Sequence, residues 1–207
     1  MTMEPILYPK KVALGAGIVG GIAGGAVMYG MMSILMTQIG MGANCFAIIM
    51  GLITGQSYEN ALYPGITAHF LTSIAIGVAF GAIINVKKLQ IQGFRKGIGL
   101  GIATGIIAFA VIFVPIAMTV LPPHMMDLIK MMPMGNTAMP ENNMKDKTPM
   151  DEKMKMEEMD KMAMEESQKL FPMILAGAFV SHIAFGAALG MVVTPIVKRA
   201  SKISSRR

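Results

Sequence analysis

The sequence lacks tryptophan, has one cysteine and is poor in charge and in aromatic rings: 14% of its 207 residues are Asp, Glu, Lys or Arg and 6% are Phe or Tyr. Each shortage excludes something. A soluble domain carries about 25% charge, so a chain that is 54% hydrophobic with a mean hydropathy of +0.57 is not an ordinary soluble one. The lone thiol, Cys45, rules out an intrachain disulfide. Without tryptophan an aromatic belt is thin, and Tyr8, Tyr58 and Tyr63 are the expected interface anchors. Enzyme signatures are missing too: there is no Gly-x-Ser-x-Gly, P-loop or His-Glu-x-x-His. No apolar segment holds the carboxylates and histidines of a di-iron site, or the Asp, Glu, Lys and Arg that pumps and proton relays use. The chain is expected not to be an enzyme itself.

What is present is a membrane pattern. Apolar, glycine-rich runs at 11–37, 65–86, 97–121 and 172–197 each reach the roughly 20 residues that cross about 30 Å of hydrocarbon. The expected fold is an all-α membrane protein with four transmembrane helices arranged as two parallel helix-pair repeats. Lysines precede the first run as in a signal peptide, but its length and its likeness to the later runs mark a retained helix. Residues 43–54 are too short to cross, so the connection 39–64 is read as interfacial or re-entrant. Pro115 should kink the third span.

Glycines recur every four residues at Gly17, Gly21 and Gly25, and again at Gly97, Gly101 and Gly105. Such glycine zippers form smooth faces that admit a neighbouring helix. His69, Ser73, Gly77 and Gly81 share a face in the second span, as do His182, Gly186 and Gly190 in the fourth. The halves look duplicated: Gly17 and Gly21 align with Gly101 and Gly105 at an offset of 84, and His69 and Gly77 with His182 and Gly190 at an offset of 113. The difference of 29 residues makes the stretch before the fourth span an insertion in the second copy.

Basic residues cluster at Lys10–Lys11, between Lys87 and Lys96, and from Lys198 to Arg207. They account for the net charge of +6 without nucleic acid, because they flank the spans where the positive-inside rule places them. The expected organisation follows. Residues 1–10 form a cytoplasmic arm, 11–121 hold three spans with an outer connection 39–64 and a cytoplasmic loop 87–96, and 122–171 form an extracytoplasmic segment with a helix at 149–170. The fourth span, 172–197, and a basic cytoplasmic tail, 198–207, complete it. The place expected is a prokaryotic cell membrane, crossed several times with both termini cytoplasmic.

The outer segment is rich in methionine: thirteen of the chain's 24 lie between Met125 and Met164. His124, Met125 and Met126 stand at the membrane edge, and Met154, Met156, Met159, Met162 and Met164 are closely spaced. Thioethers are soft neutral ligands that suit Cu(I) over Zn(II), Mg(II) or Ca(II). The competing reading is packing against a variable partner surface. The two span histidines allow two readings as well. They share a metal or a proton, or they are neutral imidazoles that hydrogen-bond across helices, and the second is preferred because polar side chains commonly join spans in that way.

The glycine-faced first helix with the His-x7-Gly pattern resembles a set of small uncharacterised prokaryotic inner-membrane proteins with four helices, over 11–86 and 97–197. The methionine segment is similar in composition to copper-handling membrane proteins. These resemblances imply a non-catalytic accessory or assembly subunit, with lipid and other integral membrane subunits as partners and Cu(I) as a contact of the outer segment. Such a subunit could sit beside a copper-dependent oxidase or monooxygenase. The alternative expectation is a small transporter or channel for a metal ion or small solute.

Overall fold

The computed structural model describes residues 8–39, 44–121 and 149–204; the side chains of 149–160, 162–164 and 166–167 lie outside the described set. Every regular element among these residues is helical: α1 (Lys10–Gln38), α2 (Cys45–Thr54), α3 (Tyr58–Ile83), a short 3-10 turn at Lys87–Leu89, α4 (Phe94–Leu121) and α5 (Pro149–Ser204). Four of them are long and apolar enough to cross a membrane: α1, α3, α4, and α5 over Gln168–Ile203. Glycine-rich segments are helical here because hydrocarbon offers the backbone no other hydrogen-bond partner. The hydroxyls follow the same rule. Ser181 and Thr194 donate to the carbonyls of Gly177 and Gly190, one turn back, at 2.7 and 2.6 Å.

The glycine faces lie against neighbouring helices. A Cβ on Gly17 would strike the Gly77 carbonyl and one on Gly21 the Ser73 carbonyl, while Gly25 lies against the Ser73 side chain. In the other half, a Cβ on Gly101 would strike the Gly186 carbonyl and one on Gly105 the His182 carbonyl. Gly97 packs on Thr194 and Gly190, and Gly81 on the Ala13 carbonyl. Dispersion between closely approaching backbones holds such pairs together.

These contacts correct the alignment of the halves. Gly17 meets Gly77 and Gly81 as Gly101 meets Gly186 and Gly190, and Gly21 meets Ser73 as Gly105 meets His182. The second helices therefore correspond at an offset of 109 (77 to 186, 81 to 190, 73 to 182), one turn short of 113. A slip of four residues leaves a glycine-every-four pattern unchanged, and the histidines alone suggested the wrong turn. Ser73 is the counterpart of His182, and Ala178 of His69.

Two elements differ from expectation. The helix at 149–170 and the fourth span are not separate; α5 runs through Pro172 and Pro195 without a break. In α4, five residues just before Pro115, Phe109–Phe113, form a π turn. A proline ring collides with the carbonyl four residues back and cannot donate, and widening the preceding turn absorbs that collision.

The interior is a row in the order α3, α1, α5, α4. α1 packs on both α3 and α5, α4 packs on α5, and α3 and α4 hardly meet. The basic ends of all four spans lie together, with Lys96 Nζ donating to the Lys88 carbonyl at 3.0 Å and Lys198 Nζ 5.8 Å above the Phe94 ring. There Tyr8 is buried rather than lying in an interface. Its hydroxyl donates to the Ile84 carbonyl at 2.9 Å and accepts from the Ile91 amide at 3.0 Å. Desolvation holds this phenol above its ordinary pKa.

Candidate functional site

At the opposite end, the connection folds over the bundle. Asn44 caps α2, its Oδ1 accepting from the Phe46 and Ala47 amides at 3.0 and 3.2 Å. Its Nδ2 donates to the Tyr29 hydroxyl at 2.9 Å, and its backbone amide donates to the Tyr58 hydroxyl at the same distance. Tyr58 is thereby a tie between segments, while Tyr63 is 77% exposed. α2 has ten residues, too few to span, and turns away through Gly55 at φ 69°. It lies directly on α3, where Gly65 passes the Phe46 carbonyl too closely for any Cβ.

Because α3 and α4 stand apart beneath α2, a cavity of about 200 Å³ opens between them. Its walls are apolar: Met28 and Met32 from α1, Cys45, Phe46 and Met50 from α2, Phe113 from the π turn and Phe185 from α5. Both span histidines border it, so the structure brings His69 and His182 to one space.

His69 Nε2 lies 3.0 Å from the Gly25 carbonyl on α1, and its ring centroid is 3.9 Å from that of Phe46. A carbonyl only accepts, so Nε2 carries the proton and Nδ1 the lone pair. This bond crosses between helices, as the structural reading requires. The bond from His182 does not: Nδ1 reaches the Ala178 carbonyl of its own helix, at 2.7 Å. That fixes the other tautomer, with the lone pair on Nε2. The His182 ring is held by Phe109 and Phe113 at 5.4 and 5.6 Å.

Cys45 is buried, and desolvation pushes its thiol up to about 12, so it stays protonated and unreactive at neutral pH. Among the described residues no three of His, Cys, Asp and Glu converge on a point where a metal could sit. Of the methionine segment, Met154, Met156, Met159, Met162 and Met164 fall on the backbone of α5, with side chains outside the described set; His124, Met125 and Met126 lie outside the described residues.

One packing surface goes beyond the predicted zippers. Gly20 faces Val193 and Leu189, and Gly24 faces Phe185 at 2.8 Å from where its Cβ would be, so α1 carries a second glycine stripe against α5. The doublets Gly20–Gly21 and Gly24–Gly25 are its signal, since doublets four residues apart put two adjacent stripes on one helix. Compared with known proteins, the chain matches no family model, no curated protein and no solved structure, so the likenesses drawn above rest on its residues alone.

Proposed function

We propose that this chain is a non-catalytic membrane subunit that holds a methionine-rich helix away from the bilayer for a partner in a larger membrane complex. The observation that carries this reading is the continuity of α5: the helix that begins at Pro149 enters the apolar span at Gln168 without a break. Residues 149–167 thus project about 28 Å at 1.5 Å per residue. A segment joined rigidly to a span presents its side chains at a fixed height and direction, which suits docking or handing over a ligand. The basic ends face the cytoplasm by the positive-inside rule, so the projecting part faces outward. There, thioethers hold Cu(I) where thiolates would be oxidised. The test is extraction from native membranes in mild detergent, followed by native mass spectrometry. The expected result is a complex much heavier than 22.1 kDa, with the chain lost from membranes when its partners are deleted. A chain recovered alone, and indifferent to every other membrane protein, overturns the reading.

The second reading, a small transporter or channel, draws on the cavity that both histidines border. It expects solute flux in liposomes holding this chain alone, abolished when His69 and His182 are replaced.

A further inference from the structure

The cavity between α3 and α4 has chemistry independent of the methionine-rich projection. The Gly25 and Ala178 carbonyls each take the N–H of one imidazole, which leaves the other ring nitrogen unprotonated. Neither remaining nitrogen, Nδ1 of His69 or Nε2 of His182, has a protein hydrogen-bond partner among the described residues. The thioethers of Met28, Met32 and Met50 border the same space. The donors on offer are therefore all neutral: imidazole nitrogen, thioether sulfur and the hydroxyls of Thr72 and Ser73, with no carboxylate in the lining.

That set discriminates between ligands. Hard cations want several oxygens with carboxylates among them, more than two hydroxyls supply, and structural zinc wants four ligands, commonly with thiolates. Cys45 does not converge with both histidines, and no three of His, Cys, Asp and Glu gather among the described residues. A divalent ion in an apolar cavity without counter-charge pays a large desolvation cost. For a monovalent soft ion that cost is smaller, and it accepts imidazole and thioether together. We infer that the cavity is a Cu(I) site, with His69 Nδ1 and His182 Nε2 as nitrogen donors and a thioether of Met28, Met32 or Met50 completing it.

The test uses the full chain in detergent, with every methionine from Met125 to Met164 changed to leucine so that the projection contributes no sulfur. Cu(I) is added without oxygen against a chromogenic chelator, and the retained metal is examined by X-ray absorption at the copper edge. The expected result is one retained equivalent whose spectrum contains imidazole scattering as well as sulfur. A second chain carrying His69→Gln and His182→Gln keeps amide donors for the two carbonyls and should lose that equivalent on gel filtration. No copper retained by the first chain, or a shell without imidazole, overturns the site whether or not the glutamine chain folds. So does a folded glutamine chain that keeps the equivalent. Copper held by the unaltered chain but not by the leucine chain assigns binding to the projection and also overturns the cavity site, so the two copper readings fail separately.

Discussion

The two helix pairs use one device with different reach. α1 meets α3 through Gly17, Gly21 and Gly25, and α4 meets α5 through Gly97, Gly101 and Gly105. But α1 also presents Gly20 and Gly24 to α5, whereas the positions 84 residues on are Thr104 and Ala108. With a single stripe, α4 takes a single neighbour. An internal twofold would set α4 against α3 as α1 is set against α5; its absence leaves the gap that becomes the cavity. The difference teaches that one of two similar helix pairs leaves an interior space where it lacks the second glycine stripe, and that α2 roofs this space.

The strongest way to break this comparison is to fill the zippers. Gly17→Ile and Gly101→Ile each drive a side chain into a partner carbonyl and should cost about 2 and about 3 kcal/mol respectively, read as thermal unfolding in detergent. The loss should be greater at Gly101, since α4 has no second partner, and equal losses would contradict the single-stripe account. Next comes giving α1 the residues of α4, Gly20→Thr with Gly24→Ala. This crowds Leu189, Val193 and Phe185, for about 2 kcal/mol in the same assay. The reverse exchange, Thr104→Gly with Ala108→Gly, should bring α3 and α4 closer, as measured between spin labels on the two helices.

Tyr8→Phe tests the basic end. It leaves the Ile84 carbonyl and the Ile91 amide without the hydroxyl, for a cost of about 1–3 kcal/mol. The buried phenol has a raised pKa, so its contribution is complete below the ordinary phenol value and is lost as pH climbs through the higher folded one. The native chain should therefore show an alkaline fall in melting temperature that the phenylalanine chain lacks. Asn44→Ala, which uncaps α2 over the cavity, should cost about 1 kcal/mol and speed hydrogen exchange at the Phe46 and Ala47 amides. The smallest effect is expected at Gly15→Ala and Gly99→Ala, where a Cβ meets open space. Both should melt within about 0.5 kcal/mol of the parent, and a larger shift at either would show an unrecognised contact.

The spans, the short α2 and the zipper faces were legible because each depends on local composition: run length, glycine every fourth residue, and charge at the ends. The register between halves was not, because the glycine pattern repeats with the helical turn and a slip of one turn preserves it. The fusion of the 149–170 helix with the last span was hidden by Pro172, which reads as a boundary in water but is tolerated inside a span. The two histidines could be placed on helix faces, but their tautomers depend on which carbonyls lie beside them. For His69 that is Gly25, forty-four residues away, and no spacing rule reaches it.

The second stripe on α1 also sets an order of events during synthesis. Gly20 and Gly24 enter the bilayer with the first span, yet Leu189, Val193 and Phe185 belong to the last. Until the ribosome has delivered that final helix, half of the first one's contact surface is left against lipid tails. A nascent chain halted after Leu121 would hold only one finished pair and an unmatched α4. Such a fragment offers a membrane protease one loosely held helix to extract, so a complete chain is protected chiefly by its last-made part.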